Sequence, residues 1–134
     1  MSYPTILYIE DNPGNRLLVR RVLEASGYAV FVAPDGATGL EAAAELRPDL
    51  ILLDINLPET PGYELAGRLR GMAQLARIPV VAVTSNVMKG DREKALAAGC
   101  DGYIPKPIDI EKLPAQIERA LREGGGRRDH HYAA

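Results

Sequence analysis

Cysteine is almost absent. Cys100 is the only one in 134 residues, so no internal disulfide can form and a reducing compartment is expected. Within "LAAGCDGY" it reads as a small buried side chain rather than a reactive thiol. An excess of either charge is missing too: 16 basic and 18 acidic side chains are mixed along the chain, for a formal charge of −2. That balance argues against a nucleic-acid footprint or a membrane-attracted surface and leaves proteins or small ligands as partners. No apolar run approaches the ~18 residues a membrane span needs. The opening "MSYPTILYIED" has no basic segment ahead of its apolar run, as a secretory leader would, so a cytoplasmic protein is expected. At this length, with 46% hydrophobic residues, one core is expected, without room for a second folded domain. Repeats and low-complexity tracts are absent apart from "GGGRRDHHYAA", 124–134, which has neither period nor apolar face and is expected as a flexible tail. His130 and His131 are adjacent and share no helical face, a poor arrangement for a metal.

What the chain does have is alternation. Five short apolar runs, "TILYIE" (5–10), "YAVFVA" (28–33), "DLILLD" (49–54), "IPVVAVT" (78–84) and "GYIPK" (102–106), read as strands bounded by Asp, Gly or Pro. "LILL" and "VVAV" are apolar on both faces, as central parallel strands under helices should be. Between the runs, apolar residues recur at helical spacing: Leu18, Val22 and Ala25; Ala37, Leu40 and Ala44; Leu65, Leu69 and Met72; Ile110, Leu113, Ile117 and Leu121. Asn12-Pro13, Asp35 and Asp109 supply helix starts, and Gly27 and Arg47-Pro48 supply stops. The expected class is α/β, a (βα)5 parallel sheet with helices on both faces.

Polar residues then fall in one place. Glu10 and Asp11 close the first strand, Asp54 the third, Thr84 the fourth and Lys106 the fifth. In an open parallel sheet these positions share the carboxyl edge, where ligands bind at the point of strand reversal. Any one of them could be capping the helix that follows, but five together make capping a poor account. Three carboxylates in one crevice repel, at about 3 kcal/mol for a pair ~5 Å apart with an effective dielectric near 20. Lys106 offsets one charge. A hard divalent cation would offset two, and Mg²⁺ suits a site with few carboxylates, a backbone carbonyl and retained waters.

The motifs "YIEDNPGN", "DLILLDINLP", "IPVVAVT" and "AAGCDGYIPKPI" occur in this order, and over roughly residues 5–123 the chain resembles the receiver domain of two-component response regulators. With only the tail following, it resembles the chemotaxis-receiver-like, stand-alone type. Its 78–108 segment is similar to regulators of the cell-division-control type and to receivers attached to hybrid kinases. The resemblance implies strand order 2-1-3-4-5 in a flavodoxin-like topology, and a phosphoacceptor signalling protein rather than an enzyme. It implies that Asp54 takes a phosphoryl group from the phosphohistidine of a sensor histidine kinase or histidine phosphotransfer protein, with Lys106 and Thr84 on the phosphoryl oxygens. Mg²⁺ would be held by Asp11 directly, by Glu10 largely through water, by Asp54 and by the backbone carbonyl of Asn56. Thr84 and Tyr103 would form the switch, read by a target at 91–98, 102–106 and 110–122. The protein would be a monomer or weak dimer, with Lys106-Pro107 in the cis form.

Some residues depart from that pattern. Pro61 precedes Gly62 where an acidic or small polar residue is usual, and Ser85 and Asn86 follow the threonine, which leaves the lifetime of a phosphorylated state open. Two other classes share the topology or the fold. A flavodoxin needs a phosphate-cradling loop after the first strand, whereas "EDNPGN" is acidic; an aspartyl phosphatase prefers a second acid where Asn56 stands. A receiver-like interaction module that takes no phosphate usually lacks part of the site, and this chain lacks none of it.

Overall fold

Strands whose residues are apolar on both sides must be covered on both sides, and the computed structural model, which describes residues 3–85 and 91–133 with side chains for 3–85 and 93–123, has that form. The strands are β1 Thr5–Ile9, β2 Ala29–Ala33, β3 Leu50–Asp54, β4 Val80–Thr84 and β5 Gly102–Pro105. They alternate with helices α1 Pro13–Ala25, α2 Gly36–Leu46, α3 Gly62–Gly71, α4 Asp91–Ala97 and α5 Leu113–Ala133, and one 3₁₀ turn, Ala73–Leu75, precedes β4. All pairings are parallel and the order is β2-β1-β3-β4-β5, so β1 and β3 are neighbours.

Side-chain alternation divides the core in two. Leu7, Ile9, Ile51, Leu53, Val80 and Ala82 pack with α2, α3 and Ala95 of α4. Ile6, Tyr8, Leu52, Val83 and Ile104 pack with Val19 and Leu23 of α1 and with Leu113 and Ile117 of α5. Each fully buried Leu or Ile contributes about 1.5–3 kcal/mol.

Two helices turn a different stripe to the sheet from the one expected. α1 buries Val19 and Leu23, with Val22 half-buried, while Leu18 is 42% exposed. This rotation leaves Arg20, Arg21 and Glu24 all in solvent, with Arg20 and Glu24 paired at 3.2 Å; a Leu18-centred stripe would draw Arg21 towards the sheet. α2 buries Gly36, Gly39 and Ala43. Glycine carries no apolar side chain to count, so the stripe reads one residue late. Gly39 is what lets α2 approach, since a Cβ there would lie 2.6 Å from Ile9 Cδ1. Ile110 is likewise exposed, because α5 begins only at Leu113. α5 also continues to Ala133, past the end at 123 that the sequence suggested; three glycines, 124–126, have low helix propensity and hide the continuation.

Caps agree with the sequence. The Asn15 N–H donates to Asn12 Oδ1 at 2.9 Å and the Thr38 N–H to Asp35 Oδ1 at 2.8 Å, and Arg47 closes α2 in the left-handed region. Asp109 caps the turn that leads into α5, with its Oδ1 accepting from the Glu111 N–H at 3.0 Å. Among the described residues no helix is long and apolar enough to cross a membrane.

Candidate functional site

Glu10 follows β1 directly, its N–H donating to the Ala33 carbonyl at 2.9 Å; Lys106 follows β5, its N–H donating to the Thr84 carbonyl at 2.7 Å. Asp54 is the last residue of β3. Alternation puts Glu10 above Tyr8, Asp54 above Leu52 and Lys106 above Ile104, all on the α1/α5 side, whereas Thr84 continues the Val80–Ala82 row on the α3 side. The crevice therefore straddles the carboxyl edge of the sheet. Glu10, Asp54 and Thr84 are buried polar residues, and Asp11 is exposed at the mouth.

Lys106 Nζ lies 3.1 Å from Asp54 Oδ2 and 3.3 Å from Glu10 Oε1. The Asn56 N–H donates to Asp54 Oδ1 at 2.9 Å. The loop carrying the acidic pair is pinned from α1: Arg16 Nη1 donates to the carbonyls of Glu10 and Asp11 at 2.8 and 2.9 Å. Asn56 Oδ1 accepts from the Ser85 N–H at 3.4 Å and its hydroxyl at 3.3 Å, which ties the loops after β3 and β4 together. Gly62, behind Pro61, packs so closely on that loop that a Cβ would lie 2.4 Å from Ile55 Cα. Asn86 lies outside the described residues.

Burial, and then the hydrogen bond shared with Glu10, push the Asp54 carboxyl up from its ordinary 3.8 to about 6, against the Asn56 N–H and Lys106. Burial also pushes Glu10 upward, but hydrogen bonds with Asp54 and Tyr8 and the Lys106 charge outweigh it and hold Glu10 at about 2. Burial alone would lower Lys106; Asp54 and Glu10 raise it instead. With both buried acids ionised, two negative charges and Asp11 beside them face one ammonium. One carboxylate oxygen from each of Glu10, Asp11 and Asp54 lies within 4.8 Å of the others. An all-oxygen, acidic donor set short of positive charge fits a hard divalent cation.

The family model for the response regulator receiver domain matches residues 6–118. The chain belongs to that family. The receiver is 43% identical over 117 residues to the polar-differentiation response regulator DivK of Brucella anthropi, covering 87% of this chain and 95% of that one. It is similar in structure to the chemotaxis response regulator CheY4 of Vibrio cholerae, with a TM-score of 0.85, 28% identity and coverage of 89% and 99%. It is also similar to the receiver domain of a Pseudomonas aeruginosa PAO1 sensor histidine kinase, with a TM-score of 0.81, 34% identity and coverage of 90% and 98%; that structure has magnesium coordinated in its active-site cleft.

In this receiver, Tyr103 lies away from the crevice, on β5, beside a groove of ≈ 450 Å³ lined also by Leu96, Ile104, Arg119 and Ala120. The Lys106-Pro107 bond is cis. Sequence reading passed over Tyr8, Asn15 and Arg16, all of which contact the acidic pair. A period of two would have put Tyr8 under Glu10, and a helical turn puts Asn15 and Arg16 over the loop.

Proposed function

We propose that this receiver takes a phosphoryl group on Asp54 from the phosphohistidine of a sensor histidine kinase or histidine phosphotransfer protein. The observation that carries this is Asp54 itself, a buried carboxylate with one oxygen on the Asn56 N–H and the other on Lys106, between two further acids. An Asp54 oxygen attacks phosphorus, the P–N bond breaks, and its electron pair returns to the imidazole. Lys106 and the Thr84 hydroxyl hold equatorial oxygens of the phosphoryl in flight. Asp11, Glu10, Asp54 and the Asn56 carbonyl would hold Mg²⁺, which would supply positive charge to offset that of the transferring group.

Phosphorylated receiver is read at the α4–β5–α5 face, and a partner there finds a groove of mixed lining, with Leu96, Tyr103 and Ile104 beside Asp101, Arg119 and Glu123, and a buried acceptor, Gln116 Oε1, that has no hydrogen-bond partner among the described residues. The working unit in this reading is 1–123, acting in the cytoplasm as a monomer or weak dimer, with 124–134 an extension that labelling does not need. Incubation with a small-molecule phosphodonor and Mg²⁺ followed by intact-mass measurement tests the reading. Full-length chain and 1–123 should both gain one phosphoryl group and Asp54→Asn none. Equal gain by Asp54→Asn refutes the acceptor.

A further inference from the structure

The buried tyrosine under the acidic pair is a longer side chain than the strand core requires. Tyr8 is fully buried and belongs to the α1/α5-side core that also holds Leu52, Val83, Leu113 and Ile117. Leu or Ile fills the neighbouring positions of the same face, at Ile6, Leu50 and Leu52. What the phenol adds is a hydroxyl at the upper end of the core, donating to Glu10 Oε1 at 2.8 Å. A buried tyrosine hydroxyl needs a partner, and a hydrogen bond to an ionised acceptor is among the stronger ones.

Glu10's two oxygens are not equivalent. Oε1 receives the Tyr8 hydroxyl, Asn15 Nδ2 at 3.3 Å and Lys106 Nζ at 3.3 Å. Oε2 receives the Asn12 N–H at 3.3 Å. A carboxylate has about four lone-pair sites, so Oε1 is saturated and Oε2 retains capacity. Tyr8 is the shortest of these contacts and is carried by the rigid central sheet, between Val32 of β2 and Leu52 of β3. We infer that Tyr8 is a positioning residue for the cation site: its hydroxyl fixes the Glu10 carboxylate so that Oε2 faces the metal or a water on it. The inference rests on the proposed phosphoacceptor reading and adds to it a residue in the core beneath the site. Preorganising a ligand in this way acts on binding more than on the chemical step that follows.

Tyr8→Phe removes the hydroxyl and keeps the ring. Three readouts are needed: Mg²⁺ affinity from NMR or calorimetric titration, phosphodonor labelling rate against Mg²⁺ concentration, and the metal-free thermal midpoint. Tyr8→Phe is expected to weaken Mg²⁺ binding about three- to tenfold and raise half-saturating Mg²⁺ for labelling equally, while the rate at saturating Mg²⁺ changes less than twofold. In a Glu10→Gln background the same substitution should change Mg²⁺ affinity by less than twofold, because the route through Glu10 is already gone. Unchanged Mg²⁺ affinity in Tyr8→Phe, or the same loss in both backgrounds, overturns the inference. So does a lower midpoint with Mg²⁺ affinity intact, which marks a packing role only. Wild type that binds Mg²⁺ but takes no phosphoryl group refutes the phosphoacceptor reading and leaves the Tyr8 titrations to be judged separately.

Discussion

Asp54 and Glu10 pull stability in opposite directions with pH. Asp54 rises from 3.8 to about 6 on folding, so its contribution is fully present below about pH 4 and is lost as pH climbs through 6. Glu10 falls from 4.5 to about 2, so its contribution is present above about pH 4.5 and is lost as pH drops through 2. As far as this pair governs it, the metal-free protein is most stable near pH 4–5 and gives up at most about 3 kcal/mol towards pH 8. Asp54→Asn removes the acid that causes the loss. In chelator at about pH 8 the variant should therefore melt higher than wild type, by about 1–3 kcal/mol, and the gap should close near pH 4. Melting curves across that range check this, and a variant less stable at both ends contradicts it. If Asp54 is a ligand as proposed, Mg²⁺ must displace its proton, and the affinity should fall about tenfold per pH unit below pH 6. A pH-independent affinity would place the ion elsewhere.

At the scale of elements, strands were easy to read and helix faces were not. β3 and β4 are buried at every position, so runs such as "LILLD" need no periodic argument, and a polar residue ending one is conspicuous. This is why Asp54 and Thr84 were legible in sequence. Helix orientation depends on small residues and on which charges must escape: Gly36 and Gly39 form the contact face of α2, and neither registers as apolar. Contacts far apart in sequence were also invisible. Arg70 on α3 pairs with Asp101 before β5 and donates to the carbonyls of Gly99, Ala76 and Ile78 at 3.0, 3.0 and 2.8 Å, fastening the end of α3 to two loops at the amino edge of the sheet. Gly62 was noticed only for the proline before it, whereas its closest constraint is Ile55, whose backbone leaves no room for a Cβ. Gly62→Ala should destabilise by about 1–3 kcal/mol through overpacking. Because Ile55 lies between Asp54 and Asn56, it should also weaken Mg²⁺ binding. Paired denaturation and Mg²⁺ titration test both effects, and an unchanged denaturation midpoint rules the contact unimportant.

Over the whole molecule, the crevice and the α4–β5–α5 groove are joined through β4 and β5. Thr84 closes β4 at the crevice, and its carbonyl accepts from the Lys106 N–H. Tyr103, three residues before Lys106, is 37% exposed at the groove and pairs in register with Ala82 of β4. A phosphoryl on Asp54 adds about −1.5 to −2 charge and three acceptor oxygens. In the proposed switch, drawing the Thr84 hydroxyl inward to meet them would move a buried side chain at the end of β4, the strand that supplies Val81 to the groove wall and pairs with Tyr103. Packed interfaces respond to such shifts by repacking between discrete arrangements rather than by small continuous deformation. A coupling of about 1–3 kcal/mol is sufficient, since it changes a partner's affinity some 5- to 150-fold. Thr84→Ala removes the hydroxyl while leaving Asp54, Lys106 and the acids in place. It should still gain one phosphoryl group, more slowly, and should lose the shifts of Leu96, Tyr103 and Arg119 that phosphorylation of wild type produces in a backbone amide spectrum. Asp54→Asn should lose both the labelling and the shifts. If phosphorylated Thr84→Ala moves those groove residues as far as wild type does, the hydroxyl is not the link, and the Lys106 end of β5 becomes the remaining route from crevice to groove.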